Sequence, residues 1–476
     1  MNLKIKNNSG ITLIALMVTL AVIIVLLGVS INVFVNSDII GHSEKTGQAY
    51  TNALENDKTI GNDGVTINGK RYANMEDFGR GEELIESNIA GGTRVDENKE
   101  YAIKGETRTA VIPAGFTVSG IREETTIDGG LVIYDIPEGT TVDWTTTEKV
   151  DMSDENSDTC YTVQKNYNQF VWVPVETPYV TKAELNKIMS DSNGSITTEK
   201  AALQSLVDSG KYPMAVELAN GTDYRGVLYE FSAGTNKVNI EVMDFSTEAN
   251  YDDGSVKYYR EPAKLSSTDS NKVNQTEEQN LDLQTEYNKI VKSVKAQNGF
   301  WVARYELSYN TKGESKRGKT VANSGDSATY KWYGLYNACK TVSIANNKNE
   351  MQSSMIYGSQ WDQIMIWMKE VKNTEDNSKY YILDSSYMGN YNTSSGGTGK
   401  KQVSGYKNAY GVKQIFDLGG NLRDWTTEAY STSRRVLRGG AYSSDGSSIP
   451  AGGRYDDGPE GTYSYLSARV ALYVSL

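Results

Sequence analysis

The longest apolar run of the chain lies at its start. No residue between Lys6 and Asp38 is charged, and Ile11 to Val35 is mostly Ile, Leu, Val, Ala and Met. A helix over that stretch, rising about 1.5 Å per residue, spans a hydrocarbon core of about 30 Å. Its nearest cations, Lys4 and Lys6, flank it on the N-terminal side. That asymmetry predicts a cytoplasmic N-terminus, with everything beyond Asp38 outside the membrane. Residues 38–58 are polar with spaced Ile, Ala and Leu, which predicts an outward stalk of helix weakened at Gly41 and Gly47. From 59 to 108 the chain is rich in Gly, Asn, Asp and Glu around short apolar pieces, and reads as a linker or small β-rich spacer.

The texture changes at Ala110. Val111-Ile-Pro-Ala-Gly-Phe-Thr-Val-Ser, Gly130-Leu-Val-Ile-Tyr and Gln169-Phe-Val-Trp-Val-Pro-Val are β-branched and aromatic runs bounded by Gly or Pro, the pattern of short strands. Thr181 stands three residues ahead of Glu184, a capping-box spacing that predicts a helix to about Ser190. Ala202, Leu203, Leu206 and Val207 recur at helical spacing within 199–209. Residues 210–275 are polar and poorly periodic, and predict an insertion of loops. Leu281, Leu283, Tyr287, Ile290, Val291 and Val294 restore a helical stripe over 277–297, and the strand Phe300-Trp-Val-Ala-Arg-Tyr-Glu follows. Trp332 to Lys340 and Met355 to Val371 precede Gly-rich, aromatic loops that run to Leu476. An α+β class follows: a long N-terminal transmembrane helix, then a loop-rich domain over 109–476.

With 476 residues, the chain can bury a large core, and 32 Tyr, 7 Trp and 8 Phe supply the surface for it. A net charge of −12 argues against nucleic acid, which asks for a basic footprint. His42 is the only histidine and falls just after the apolar run, so a multi-histidine metal centre or a histidine base in the large domain is excluded. Ser/His/Asp catalysis falls with it. Cys160 and Cys339 are the only thiols; one long-range disulfide or two buried free thiols both fit. Paired-carboxylate chemistry stays open, because Asp and Glu are plentiful.

Lys4, Lys6, Gly10 and the run Ile11-Thr-Leu-Ile resemble the leader of type IV prepilins and pseudopilins. The resemblance implies that a prepilin peptidase cleaves after Gly10 and leaves Ile11 as the mature terminus. Members of that family carry Glu at the fifth mature position, where it meets a neighbouring subunit in the filament; this chain has Ala15. An unprocessed signal anchor is the alternative.

From about Ala110 onward the chain resembles the formylglycine-generating enzyme (sulfatase-modifying factor) family, whose fold is a C-type-lectin-like variant. The resemblance rests on Trp301-Val-Ala-Arg-Tyr-Glu306, Trp332 to Cys339, Tyr357-Gly-Ser-Gln-Trp361-Asp362 and three tail blocks. Those blocks are Gly420-Asn421-Leu-Arg-Asp424-Trp425-Thr426, Arg435-Val-Leu-Arg438-Gly439-Gly440-Ala441 and Ala468-Arg469-Val470-Ala471. In these blocks the glycines predict close backbone approach, Trp425 an apolar anchor, and Arg438 and Arg469 ties between loops. The enzymes of that family bind copper through a cysteine pair late in the domain, whereas this chain has no cysteine after Cys339. The related sulfoxide synthases need a histidine triad that it lacks as well. The resemblance therefore implies a non-catalytic member, the alternatives being an enzyme of that superfamily with other chemistry or a purely structural pilin. Calcium is common in the fold, and Asn421, the Leu422 carbonyl and Asp424 are candidate oxygens for it.

Between Arg438 and Ala468, Tyr, Ser, Gly and Asp dominate, as they do in antibody paratopes. This arrangement is similar to the lectin-fold variable proteins of diversity-generating retroelements. Tyr442, Ser443, Asp445, Tyr455, Asp456, Asp457, Tyr463 and Tyr465 are the residues expected to face a ligand, an external protein or glycan. The expected protein is an adhesin or minor pilin at the cell surface, anchored through residues 11–35, with other pilin subunits as further partners. N-terminal sequencing of the mature chain should begin at Ile11; an intact Met1 would rule out cleavage.

Overall fold

The computed structural model describes residues 65–67, 70–72, 85–216, 228–233, 236–241, 265, 276, 281–309, 312–325, 330–342, 351–431 and 433–474. The expected membrane helix at 11–35, the stalk, and the processing positions Gly10 and Ile11 lie outside them. Among the described residues no helix is long and apolar enough to cross a membrane. The chain divides into two compact units, Met1–Glu86 and Ser87–Leu476. Of the first, one hairpin is described, in which Val65–Ile67 pairs antiparallel with Lys70–Tyr72.

Two sheets organise the larger unit. Their strands are β1 (Thr117–Val118), β2 (Val132–Tyr134), β3 (Gln169–Pro174), β4 (Gly299–Ala303), β5 (Met351–Met355), β6 (Arg423–Ser431), β7 (Arg434–Arg438), β8 (Arg454–Asp457), β9 (Leu466–Ala468) and β10 (Val470–Val474). The six-stranded sheet has the order β5-β10-β4-β3-β2-β1, antiparallel throughout. Its central strands, Gly-Phe-Trp-Val-Ala and Val-Ala-Leu-Tyr-Val, are buried along their whole length, which explains why they read as unbroken apolar runs. Trp301 pairs with Trp172 across β4 and β3, their rings 5.1 Å apart. The four-stranded sheet has the order β8-β7-β6-β9, with β9 parallel to β6. Only Arg469 separates β9 from β10, so a single residue passes the chain from one sheet to the other.

The helices are α1 (Thr162–Asn166), α2 (Lys182–Asp191), α3 (Glu199–Asp208), α4 (Leu283–Gln297), α5 (Trp332–Cys339) and α6 (Gly358–Trp367). Thr181 and Glu184 form the expected reciprocal cap of α2, at 3.3 and 2.7 Å. Along α4, Leu283, Tyr287, Ile290, Val291 and Val294 are buried as the spacing predicted. Leu281 falls before its N-cap, Asp282. The Tyr287 hydroxyl reaches Ser359 Oγ at 2.9 Å and ties α4 to α6.

Two expected boundaries move. Residues 87–108 are part of the compact unit: Lys99–Ala102 pairs with Thr109–Ile112, and the guanidinium of Arg94 donates to the carbonyls of Gly115 and Ile136. The polar stretch 210–275 is not loop alone. Pro213–Val216 is a fully buried strand parallel to Thr177–Val180, with α2 and α3 as the crossover between them. A hairpin, Leu228–Ala233 with Asn236–Glu241, follows.

A closed ring of buried ions joins α6 to the four-stranded sheet. Arg438 Nη1 lies 2.9 Å from Asp362 Oδ1 and 3.6 Å from Glu428 Oε2. Arg454 completes the ring, with Nε 3.1 Å from Glu428 Oε1 and Nη2 on Asp362. No side chain in it is more than 4% exposed. Burial pushes the Asp362 carboxyl up and the Arg438 guanidinium down, and each partner pulls the other back toward its charged form. Gly358 makes room for the ring: a Cβ there would stand 2.1 Å from the Glu428 side chain. Removing one member of a buried ion pair leaves an uncompensated charge, which costs about 3–5 kcal/mol. Asp362→Ala should lower the unfolding free energy of the full chain by about that amount in urea titration; a loss below about 1 kcal/mol would deny the ring its clamping role.

Candidate functional site

The strand β6 divides its side chains between two faces. Asp424 and Trp425 are fully buried, whereas Arg423 is half-buried. The Arg423 amide donates to the Tyr465 carbonyl at 2.8 Å, which brings the segment before β9 alongside. The Arg423 guanidinium lies 5.0 Å from the centre of the Tyr455 ring and 5.8 Å from that of Tyr465. Tyr463 stacks on Tyr465 with centroids 5.2 Å apart and planes within 13°, and is itself 45% exposed. The Tyr442 hydroxyl is 3.3 Å from Ser464 Oγ. Tyr455 donates its hydroxyl to the Ser448 carbonyl at 3.0 Å. Burial raises the phenols of Tyr455 and Tyr465 above their ordinary value while Arg423 pulls them down, so both remain protonated hydroxyls near neutral pH.

The structure thus gathers four of the eight expected ligand-facing residues, Tyr442, Tyr455, Tyr463 and Tyr465, into one aromatic surface around Arg423. The acids do other work. Asp456 and Asp457 face Arg434, Asp456 in direct contact and Asp457 at 3.8 Å. Asp445 staples a turn: its Oδ1 accepts from Ser447 N, Ser447 Oγ and Ser448 N, and its Oδ2 from Ser395 Oγ. Those donors hold its carboxyl down at about 2. Ser443 is exposed on the same loop. Arg423 was not among the expected residues. The signal for it was available, since strand alternation puts Arg423 on the face opposite Asp424, which turns inward to Arg469.

On the inner face, Asn421, Leu422 and Asp424 enter two networks. Asn421 Oδ1 accepts from Asn390 Nδ2 at 3.1 Å and from Gln402 N at 3.0 Å. Its Nδ2 and the Leu422 amide donate to the two oxygens of Glu306. Asp424 Oδ2 accepts from Arg469 Nε at 3.0 Å, and its Oδ1 meets no donor among the described residues. Among those residues no group of three or more His, Cys, Asp or Glu is arranged to hold a metal ion.

Glu306, Asp417 and Asp424 make a buried acidic cluster beside Arg469. Burial, with Arg469 opposing, pushes Asp417 and Asp424 up to about 6. Glu306 is pushed well above the carboxylate range by burial and then by its two acidic neighbours.

A separate cleft of about 500 Å³ is lined by Glu124, Cys160, Gln164, Arg304, Arg317 and Gln414, among others. Its polar groups are mutually engaged: Arg304 bonds Glu124 at 2.6 Å and Gln169 at 3.0 Å, and Arg317 bonds Gln164 at 3.2 Å and Asn408 at 2.6 Å. Cys160 and Cys339 are free and buried, and burial pushes both thiols up, away from the thiolate.

No protein-family model matches the chain, and no curated protein matches it. Among solved structures it is similar to Treponema denticola variable protein 1, at 13% identity and a TM-score of 0.25, over 52% of this chain and 98% of that one.

The acidic cluster sets a pH dependence. A carboxyl raised in the folded state keeps its proton at pH values where the unfolded chain has lost it, so stability rises as pH falls from about 6 toward 4. The depressed Asp445 acts in the opposite sense, but only below about pH 4, outside that window. The melting temperature of the full chain should therefore be several degrees higher at pH 5 than at pH 7.5. A higher value at pH 7.5 would contradict the burial of these carboxyls.

Proposed function

We propose that this chain is a membrane-anchored, pilin-like surface protein whose large domain, a non-catalytic member of the C-type-lectin-like class, captures an external macromolecule. The observation that carries the reading is the surface formed by Tyr442, Tyr455, Tyr463 and Tyr465 around Arg423. Tyrosine offers large, rigid contact area at small entropic cost, and the Ser and Gly between these residues offer adaptable hydrogen bonding. Arginine and tyrosine are the residue types that dominate binding energy at protein surfaces. Buried thiols with raised pKa values and a cleft whose polar groups are already bonded to one another favour binding over catalysis.

The test is capture by the full chain in nanodiscs, probed with arrays of glycans and of purified cell-surface proteins. The double variant Tyr463→Ala, Tyr465→Ala should lose about 10-fold or more in affinity for the captured probe, with an unchanged melting temperature. Undiminished capture would place the binding site elsewhere.

A further inference from the structure

Around the tyrosine surface, each cation but one has an acid partner. Arg434 faces Asp456 and Asp457, Lys331 holds Glu460, and Arg454 sits in the buried ring. Arg423 alone has neither a side-chain hydrogen bond nor an ion pair among the described residues, and its Nε is buried without an acceptor. We propose that Arg423 is the receptor for a carboxylate carried by an Asp or Glu side chain of a protein partner. This rests on the reading of the tyrosine surface as the binding face.

The physical case has three parts. First, a guanidinium left half-buried without an acceptor has lost part of its hydration and gained only ring contacts in return, and an incoming carboxylate supplies the charge partner it lacks. Second, its flat fork matches a carboxylate bidentately, which neither a carbonyl nor a hydroxyl achieves. Third, the Tyr455 and Tyr465 rings already hold it, so little rotamer freedom remains to be lost on binding. The occupant follows from shape and composition. Tyr463 stands 45% exposed on the outermost layer of stacked rings, an outward platform of paratope composition. Small saccharides are more often held in concave pockets.

A random-peptide phage library panned on the full chain in nanodiscs tests this. Enriched peptides should carry Asp or Glu. Arg423→Gln should weaken their binding about 10- to 100-fold, and Arg423→Lys by less. Replacing the peptide's acid by its amide should produce the same loss, with no further loss against Arg423→Gln. Both protein variants should melt within a few degrees of the wild type, because Arg423 makes ring contacts but neither a hydrogen bond nor an ion pair through its side chain among the described residues. Peptides that need Tyr463 yet bind Arg423→Gln unchanged would overturn the inference and leave the platform standing. Peptides indifferent to both positions, or no enrichment at all, would overturn both. Arg423-dependent capture of a hyaluronan oligosaccharide without any acidic peptide would overturn the protein partner.

Discussion

Arginine–carboxylate contacts in the interior are the constraint on which this domain depends. Among the described residues the regular elements are mostly short and joined by loops, so hydrogen-bonded sheet cannot by itself fix the relative positions of distant segments. Buried charge does so with direction. Arg304 joins Glu124 on one side of the six-stranded sheet, Arg469 joins Asp424 at the hinge between the sheets, and Arg438 with Arg454 closes the ring to Asp362 and Glu428. Each pair is expensive to desolvate, and continuum reasoning gives it little net stability over an apolar replacement. What it provides is intolerance of the wrong arrangement: a slipped loop would strand an ion in low dielectric. The buried acids Glu306 and Asp417 show the limit of the scheme, since they have too few cations, and burial raises both carboxyls above their ordinary value.

The same strands that hold the ions carry the outer surface. In β8, Arg454 joins the ring while its neighbour Tyr455 packs on Arg423; in β6, Asp424 meets Arg469 while Arg423 faces the tyrosines. Period-two alternation therefore separates an inner charged ladder from an outer aromatic face within single strands. The outer positions make few contacts that the fold needs. Substitution there would leave the inner ladder in place, a separation that suits a surface used for binding.

Much of this was legible in the sequence where the cause was local. The Thr181–Glu184 cap, the apolar stripe of α4, the buried Trp425 and the tying roles of Arg438 and Arg469 all follow from spacing or residue type. So does the turn at Asp445, since Asp followed by Gly, Ser and Ser is an Asx-type signal. What escaped was non-local. Pro213–Val216 has only four residues, and its partner, Thr177–Val180, lies two helices earlier. Residues 87–108 look like a linker until Lys99–Ala102 finds Thr109–Ile112. The capture of Asp456 and Asp457 by Arg434 depends on the register of β7 and β8, which pairs Arg435 with Asp457.

Arg423 shows the same limit most clearly. An arginine in an acidic chain is ordinarily assumed to have a carboxylate within reach, and Asp424 is its immediate neighbour in sequence. Adjacency along a strand puts the two on opposite faces, so the nearest acid in the chain is the one it cannot meet. Asp424 turns inward to Arg469, Asp456 and Asp457 turn to Arg434, and Glu460 turns to Lys331. A cation becomes free on this surface because the acids around it are each bound to something else. That negative arrangement emerges only when every pairing is known, which is why composition and spacing pointed to the tyrosines and passed over the arginine between them.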